Sequence, residues 1–414
     1  MRTLLSLVLL ALLNGPAAAQ ARRPLLVLSI DGLDNRYLKD ADKMGLRIPT
    51  LRRLMKEGQW ASEGVVGVAP TVTWPSHTSM ITGVRPEEHG ILSNRRPREE
   101  GGEYYWTASL LKTKTLWHAV REVGWKSAAI TWPVTVDAAI DYNLPEYFQR
   151  RNGGAMDLDS IQTKSVPSNL VETISKRYPS FAHQWMDDRS RALATMAILQ
   201  EYRPDLMLVH FVDLDSEQHE RGPFTREAKA MLEYTDELVA GILRVMPKNY
   251  VLALVSDHGF ERVDRVVNIN VLLKRDNVRG TAEASGALLT TTDPAVAEYL
   301  RKRIKDPAYG IAREIPKAEL QRFAPRLLKN EAVFEPVLHT QFGSATEGEA
   351  ITKPGSRGSH GYWPTRENYR SVLLFWGNGI RPSWLPETEM VNIAPLLAQI
   401  LGLKFSPTPL PESR

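Results

Sequence analysis

Strands alternating with helices along this chain predict an α/β protein, with a mostly parallel central sheet covered on both faces and a smaller inserted subdomain. Three observations carry the expectation. Four apolar runs, Pro24–Ile30, Lys126–Thr131, Pro204–Phe211 and Tyr250–Ser256, are continuous rather than alternating, as in strands buried on both sides. Helical patterns over Pro49–Glu57, Pro75–Thr82, Leu111–Val123 and Thr225–Val245 lie between them. From Glu261 the pattern loosens into short mixed-charge segments such as 295–304 and 318–323, and core-like sequence resumes at Tyr369–Trp376 and Val391–Leu401. The core is therefore expected at 24–260 and 351–405, with the insertion at 261–350. The stretch Pro145–Arg189 is polar and irregular, and its composition indicates no role.

With 43% hydrophobic and 24% charged residues, the 414-residue chain is neither disordered nor collagen-like, and it is long enough to bury a core without disulfides. It contains 0 Cys, which excludes disulfides and a cysteine nucleophile. Fifty-two basic against 48 acidic residues leave only +4, spread along the chain, which argues against coating nucleic acid. Met1–Gln20 carries one charge at Arg2, an apolar run from Leu4 to Leu13 and small residues at 17–19, the pattern of a signal peptide. That run is shorter than the ~20 residues of a membrane span. A periplasmic or secreted protein is expected.

Four segments place acids and histidines after strand-like or Gly-marked sequence: Asp31-Gly32, Asp213 to His219, Asp257-His258-Gly259 and Ser359-His360-Gly361. In open α/β sheets ligands bind beyond the carboxyl ends of the strands, so these residues can share one edge. Asp31, Asp215, Asp257, His219, His258 and His360 supply oxygen and nitrogen donors suited to divalent cations, zinc foremost. Six donors suit two metals, which at roughly 4 Å separation can clamp the attacking and leaving oxygens of an in-line displacement. Asp215 and His219 share a face if their segment is helical, with Asp213 the rival acid. His77, His89, His118, His183, His210 and His339 lack such context and are expected in structural or surface positions. Thr73 lies two residues before Pro75, a residue suited to a first helical turn, where backbone N–H groups and the helix dipole favour an anion. It is a candidate nucleophile, the plain alternative being a helix cap.

Taken in order, these segments resemble the nucleotide pyrophosphatase/phosphodiesterase family within the alkaline phosphatase superfamily, over about Leu25 to Leu403. The resemblance is carried by Leu28–Gly32, Pro70–His77, Thr82–Ile91 leading to Asn94, Asp215–Pro223, Ser256–Gly259 and Gly358–Tyr362. It implies an alkaline-phosphatase-like three-layer sandwich, with one zinc on Asp215, His219 and His360 and a second on Asp31, Asp257 and His258. It also implies that Thr73 attacks phosphorus to form a phospho-threonine, which water then hydrolyses from the opposite side. Asn94 and the Thr73 N–H would hold a phosphate oxygen, and Trp74 falls where family members place an aromatic that stacks on a nucleotide base. From the residues alone Trp74 is equally a core residue. The chain departs from the family at Gln218, where Gly is common, at His210, where an aromatic is frequent, and in Trp74-Pro75-Ser76.

The competing readings are a phosphomonoesterase of the same superfamily and a catalytically silent metal- or ligand-binding protein. Phosphonoacetate hydrolysis and phospholipid head-group cleavage share the same motifs. Monoesterases add cations after the strand near residue 130, whereas Ala129–Val136 has none, which favours a phosphodiester or pyrophosphate bond. A silent protein is expected to have lost a donor or the nucleophile, and all are present. The expectation is an exported dizinc hydrolase acting on a small phosphodiester or nucleotide.

Overall fold

The structure, a computed structural model, describes residues 22–148, 158–181 and 186–410. The expected signal peptide at 1–20 and His183 lie outside the described residues. The central sheet is built from β1 (Leu25–Ile30), β2 (Gln59–Ala61), β3 (Ser127–Ile130), β4 (Tyr142–Leu144), β5 (Leu206–Phe211), β6 (Val251–Val255), β7 (Leu373–Gly377) and β8 (Ser383–Leu385). Their order is β8-β2-β7-β6-β1-β5-β3-β4, and β7 alone runs against its neighbours.

Every residue of β1 is fully buried, which explains its unbroken apolar run. Successive side chains point to opposite faces. Leu26, Leu28 and Ile30 thus enter one core, while Leu25 and Val27 enter the other. The first core is closed by α1 (Pro49–Glu57), α4 (Asp188–Glu201) and α6 (Arg226–Val245). The second is closed by α2 (Thr73–Thr82), α3 (Leu116–Glu122) and α7 (Ile393–Leu401). Three layers result, and the central strands β6, β1 and β5 end side by side. The helix Asp213–Arg221, here α5, follows β5 directly.

A second, antiparallel sheet takes the strands Glu283–Ser285, Leu288–Thr291, Ala332–Pro336 and Ile311–Glu314 in that order, around its own apolar cluster of Leu289, Leu300, Ile311 and Phe334. A short ladder pairs Ser359 with Glu261 and Gly358 with Arg262. This ladder returns the His360 segment to the end of β6.

Two features depart from the sequence reading. Helix α4 begins inside the stretch read as irregular. It is buried nearly all round, with Asp188 and Arg191 among its buried residues, so no amphipathic stripe announces it. The helix expected over Leu111–Val123 is confined to Leu116–Glu122.

Candidate active site

Asp31 follows β1 directly, and Asp257 and His258 follow the adjacent β6. Asp215 and His219 lie one turn apart on α5. His360 is delivered by the short ladder to the His258 side, where the two imidazoles stack with centroids 3.8 Å apart. Donor atoms of Asp215, His219 and His360 all lie within 4.8 Å of one another, as do those of Asp31, Asp215 and His258. His258 Nε2 is 3.1 Å from Asp257 Oδ2 and 3.4 Å from Asp31 Oδ1. The structure thus brings the six residues together, with Asp215 in reach of both groups.

The rival acid, Asp213, reaches the same cavity but belongs to neither donor group. Its Oδ2 accepts the Asp188 N–H at 3.0 Å, and its Oδ1 lies 3.6 Å from Arg191.

The histidine rings are held by their far nitrogens. Nδ1 of His219 lies 3.0 Å from the Gly358 carbonyl, that of His258 lies 3.2 Å from the Gly259 carbonyl, and that of His360 lies 3.2 Å from the Thr71 carbonyl. A carbonyl only accepts, so each Nδ1 carries the hydrogen and each Nε2 keeps a lone pair directed at the acids. Asp257 is oriented likewise: its Oδ1 accepts the N–H groups of Gly32 and His258, both at 3.0 Å.

What remains is a set of buried orphans. Asp31 Oδ1, Asp215 Oδ1, Asp257 Oδ2 and His258 Nε2 have no hydrogen-bond partner. Burial, reinforced by the charge of Asp215, pushes the Asp31 carboxyl well above its ordinary range, and burial beside Asp31 does the same to Asp257. Burial and neighbouring histidines push His258 well below its ordinary value, and burial takes His360 down to about 4. Buried acceptors facing one another without donors are costly unless a cation joins them. Three aspartates and three histidines fit one or two divalent cations, with zinc well suited.

Thr73 is the first residue of α2, with Val72 at the cap position, so the capping alternative does not describe it. It lines a cavity of about 500 Å³ together with Asp31, Asn94, Asp215, His219 and His360. Asn94 Oδ1 accepts the Trp74 N–H at 3.0 Å, which leaves its amide nitrogen as the end able to donate. Trp74 is 4% exposed and its indole N–H donates to the Tyr105 carbonyl, so its body belongs to the core although one edge lines the cavity. Tyr104 packs on it at 4.6 Å and, with Phe148, continues the aromatic wall.

The departures have visible accommodations. Gln218 is buried, donates to the Gly32 carbonyl at 3.0 Å and accepts the Tyr37 hydroxyl at 3.0 Å, tying α5 to the turn after β1. Gly32 has φ +66, and a Cβ there would meet Phe260 at 2.9 Å, so the turn admits only glycine without a shift. His210, expected in a structural or surface position, is fully buried and lies 2.9 Å from Asp31, a contact discernible only as a polar residue inside an otherwise apolar strand beside β1.

A cation also reaches the cavity despite its absence from 129–136. Arg191, on α4, donates to Thr131 Oγ1 at 2.9 Å just past β3, and pairs with Asp188 at 3.0 Å.

Fold and site together define an α/β protein with a three-Asp, three-His centre at the carboxyl edge of its sheet. The chain belongs to the type I phosphodiesterase/nucleotide pyrophosphatase family, whose description matches residues 25–363. It is 25% identical over 410 residues to rat ectonucleotide pyrophosphatase/phosphodiesterase family member 1, covering 93% of this chain but 41% of that protein. It is 25% identical over 417 residues to mouse bis(5'-adenosyl)-triphosphatase enpp4, covering 95% of this chain and 81% of that protein. The chain therefore spans well under half of the first relative. Human ectonucleotide pyrophosphatase/phosphodiesterase 5 superposes with a TM-score of 0.64 at 16% identity, over 93% of this chain and 96% of that one. The murine protein, solved as an inactive threonine-to-alanine variant in complex with AMP, gives 0.61 at 19% identity over 94% and 97%. The alkaline-phosphatase-like fold expected from the sequence is the fold observed.

Proposed function

We propose that this chain is an exported hydrolase of phosphodiester or nucleotide pyrophosphate bonds, with Thr73 as nucleophile beside two zinc ions. Asp215, His219 and His360 hold one ion, and Asp31, Asp257 and His258 hold the other. The observation that carries this reading is the convergence of these six side chains, four of their buried atoms unpartnered, with Asp31, Asp215, His219 and His360 opening onto the cavity that Thr73 lines. Bound divalent cations supply charge neutralisation and Lewis acidity at the reacting oxygens.

The chain's own groups do the rest. Thr73 sits at the positive end of α2, where its alkoxide and a negatively charged phosphoryl group are both favoured. The Oγ–P bond forms as the bond from phosphorus to the leaving oxygen breaks, and the proton of the Thr73 hydroxyl ends on that leaving oxygen. Water then attacks from the opposite side, the Oγ–P bond breaks, and of the water's two hydrogens one stays with the oxygen now on phosphorus while the other is taken up by Thr73 Oγ. The Asn94 amide and the first-turn N–H of Thr73 donate to a phosphate oxygen as its charge builds. Trp74 and Tyr104 form the wall on which a nucleotide base packs, and the AMP bound in the murine protein supports a nucleotide as the class of ligand. Export is supported by the signal-peptide pattern of Met1–Gln20, and among the described residues no helix is long and apolar enough to cross a membrane.

Arg191 gives the phosphomonoesterase reading its one specific support. Its charge is already met by Asp188 at 3.0 Å, with Asp213 at 3.6 Å, so the diester is favoured. The test compares bis-p-nitrophenyl phosphate with p-nitrophenyl phosphate, using zinc-loaded mature protein and a chelated control. A chelator-sensitive preference for the diester is expected. A preference for the monoester transfers the chain to the phosphatase branch, and no turnover of either contradicts an enzymatic role.

A further inference from the structure

We infer that Glu146 and His210 form a buried relay that decides which oxygen Asp31 offers to a metal ion, and thereby sets the affinity of the Asp31, Asp257 and His258 site. The inference rests on the metal-centre reading above.

His210 lies on β5, in register with Ser29 of β1, and is completely buried. Its Nε2 is 2.9 Å from Asp31 Oδ2, and its Nδ1 is 2.9 Å from Glu146 Oε2 and 3.1 Å from the Thr131 carbonyl. Both ring nitrogens therefore face acceptors, bonds to both acids at once require a hydrogen on each nitrogen, and the ring is held in plane from two sides. Its face packs against His77, centroids 4.2 Å apart, which blocks reorientation.

The consequence falls on Asp31. With Oδ2 engaged by His210, the carboxylate can turn only by losing that bond. Oδ1, buried and unpartnered, is the atom left facing His258. Asp31 is thus arranged to give a cation one oxygen, in one direction.

Glu146 is 4% exposed, follows β4 and reaches the wall of the cavity. Burying a fourth carboxylate this close to three others is unfavourable unless it is bound to a donor, and His210 is that donor. A phenyl ring at 210 supplies no hydrogen bond to either acid. Glu146 and His210 are positioning residues in this account, acting through Asp31 as outer-shell partners of metal ligands commonly do.

The test is zinc affinity, measured without substrate. Metal-free wild type, H210F, E146Q and the double variant are titrated with zinc against a chromogenic chelator, their folding checked by near-ultraviolet circular dichroism. H210F is expected to weaken one of two zinc ions about 10–100-fold and leave the other unchanged. E146Q is expected to weaken the same ion by less, and to have no further effect when added to H210F. Equal affinities in folded variants, or an E146Q effect that persists undiminished beside H210F, overturn the relay. If H210F loses its fold, the near-isosteric E146Q decides alone: wild-type zinc affinity in E146Q overturns the relay. No zinc binding by wild type overturns the metal-centre reading itself, and the relay with it.

Discussion

Thr73→Ala should abolish diester turnover, by on the order of 10³-fold or more, while leaving zinc content and thermal stability close to wild type. Thr73 is the first residue of α2, preceded by Val72 at the cap, and lies on the cavity wall with Asp31, Asp215, His219 and His360. On the proposed mechanism, removing its hydroxyl takes away the attacking atom and leaves the six acids and histidines in place. A helix-stabilising role predicts the reverse, a lowered melting temperature with turnover retained. Unchanged turnover in Thr73→Ala would remove the residue from the reaction.

The second large effect is expected at the donors. His360→Ala and Asp257→Asn should each lose one zinc by metal analysis, together with most activity. His360 stacks on His258 and its donor nitrogen lies 3.7 Å from Asp215 Oδ1, while Asp257 Oδ2 is buried and unpartnered. Full zinc content and full rate in either variant would refute the assignment.

The same groups set the sign of the pH dependence. His360 is driven down to about 4, so its ring is neutral and able to coordinate through the neutral range. The Asp31 and Asp257 carboxyls are raised by burial, so the metal-free protein holds protons there that a cation must displace. Zinc affinity should therefore weaken as pH falls through the raised carboxyl range, with protons released on binding. Titration calorimetry in buffers of different ionisation enthalpy checks this count.

Much of this was legible from local pattern. Strands β1, β5 and β6 are buried on both faces and read as continuous apolar runs, and Asp31, Asp257 and the Asp213–His219 segment stand out because they follow such runs. The reversed direction of β7 was not legible, because strand composition carries no direction and the pairing partners are remote in sequence. Helix α4 was hidden by burial on nearly all sides, and with it Arg191. His210 and Gln218 share another cause. Each is a polar residue whose partners, Asp31 with Glu146 and Gly32 with Tyr37, come from distant segments that only the folded sheet brings near. The choice between Asp213 and Asp215 likewise needed the position of Asp188, since both acids lie in the first turn of α5.

In the proposed reaction Thr73 carries the phosphoryl group between two in-line displacements. The most direct measurement is the stereochemical course at phosphorus, using a chiral phosphorothioate diester hydrolysed in isotopically labelled water. Each in-line displacement inverts the centre, so two successive ones predict net retention. Net inversion would mean that water attacks the diester directly, and would contradict the account.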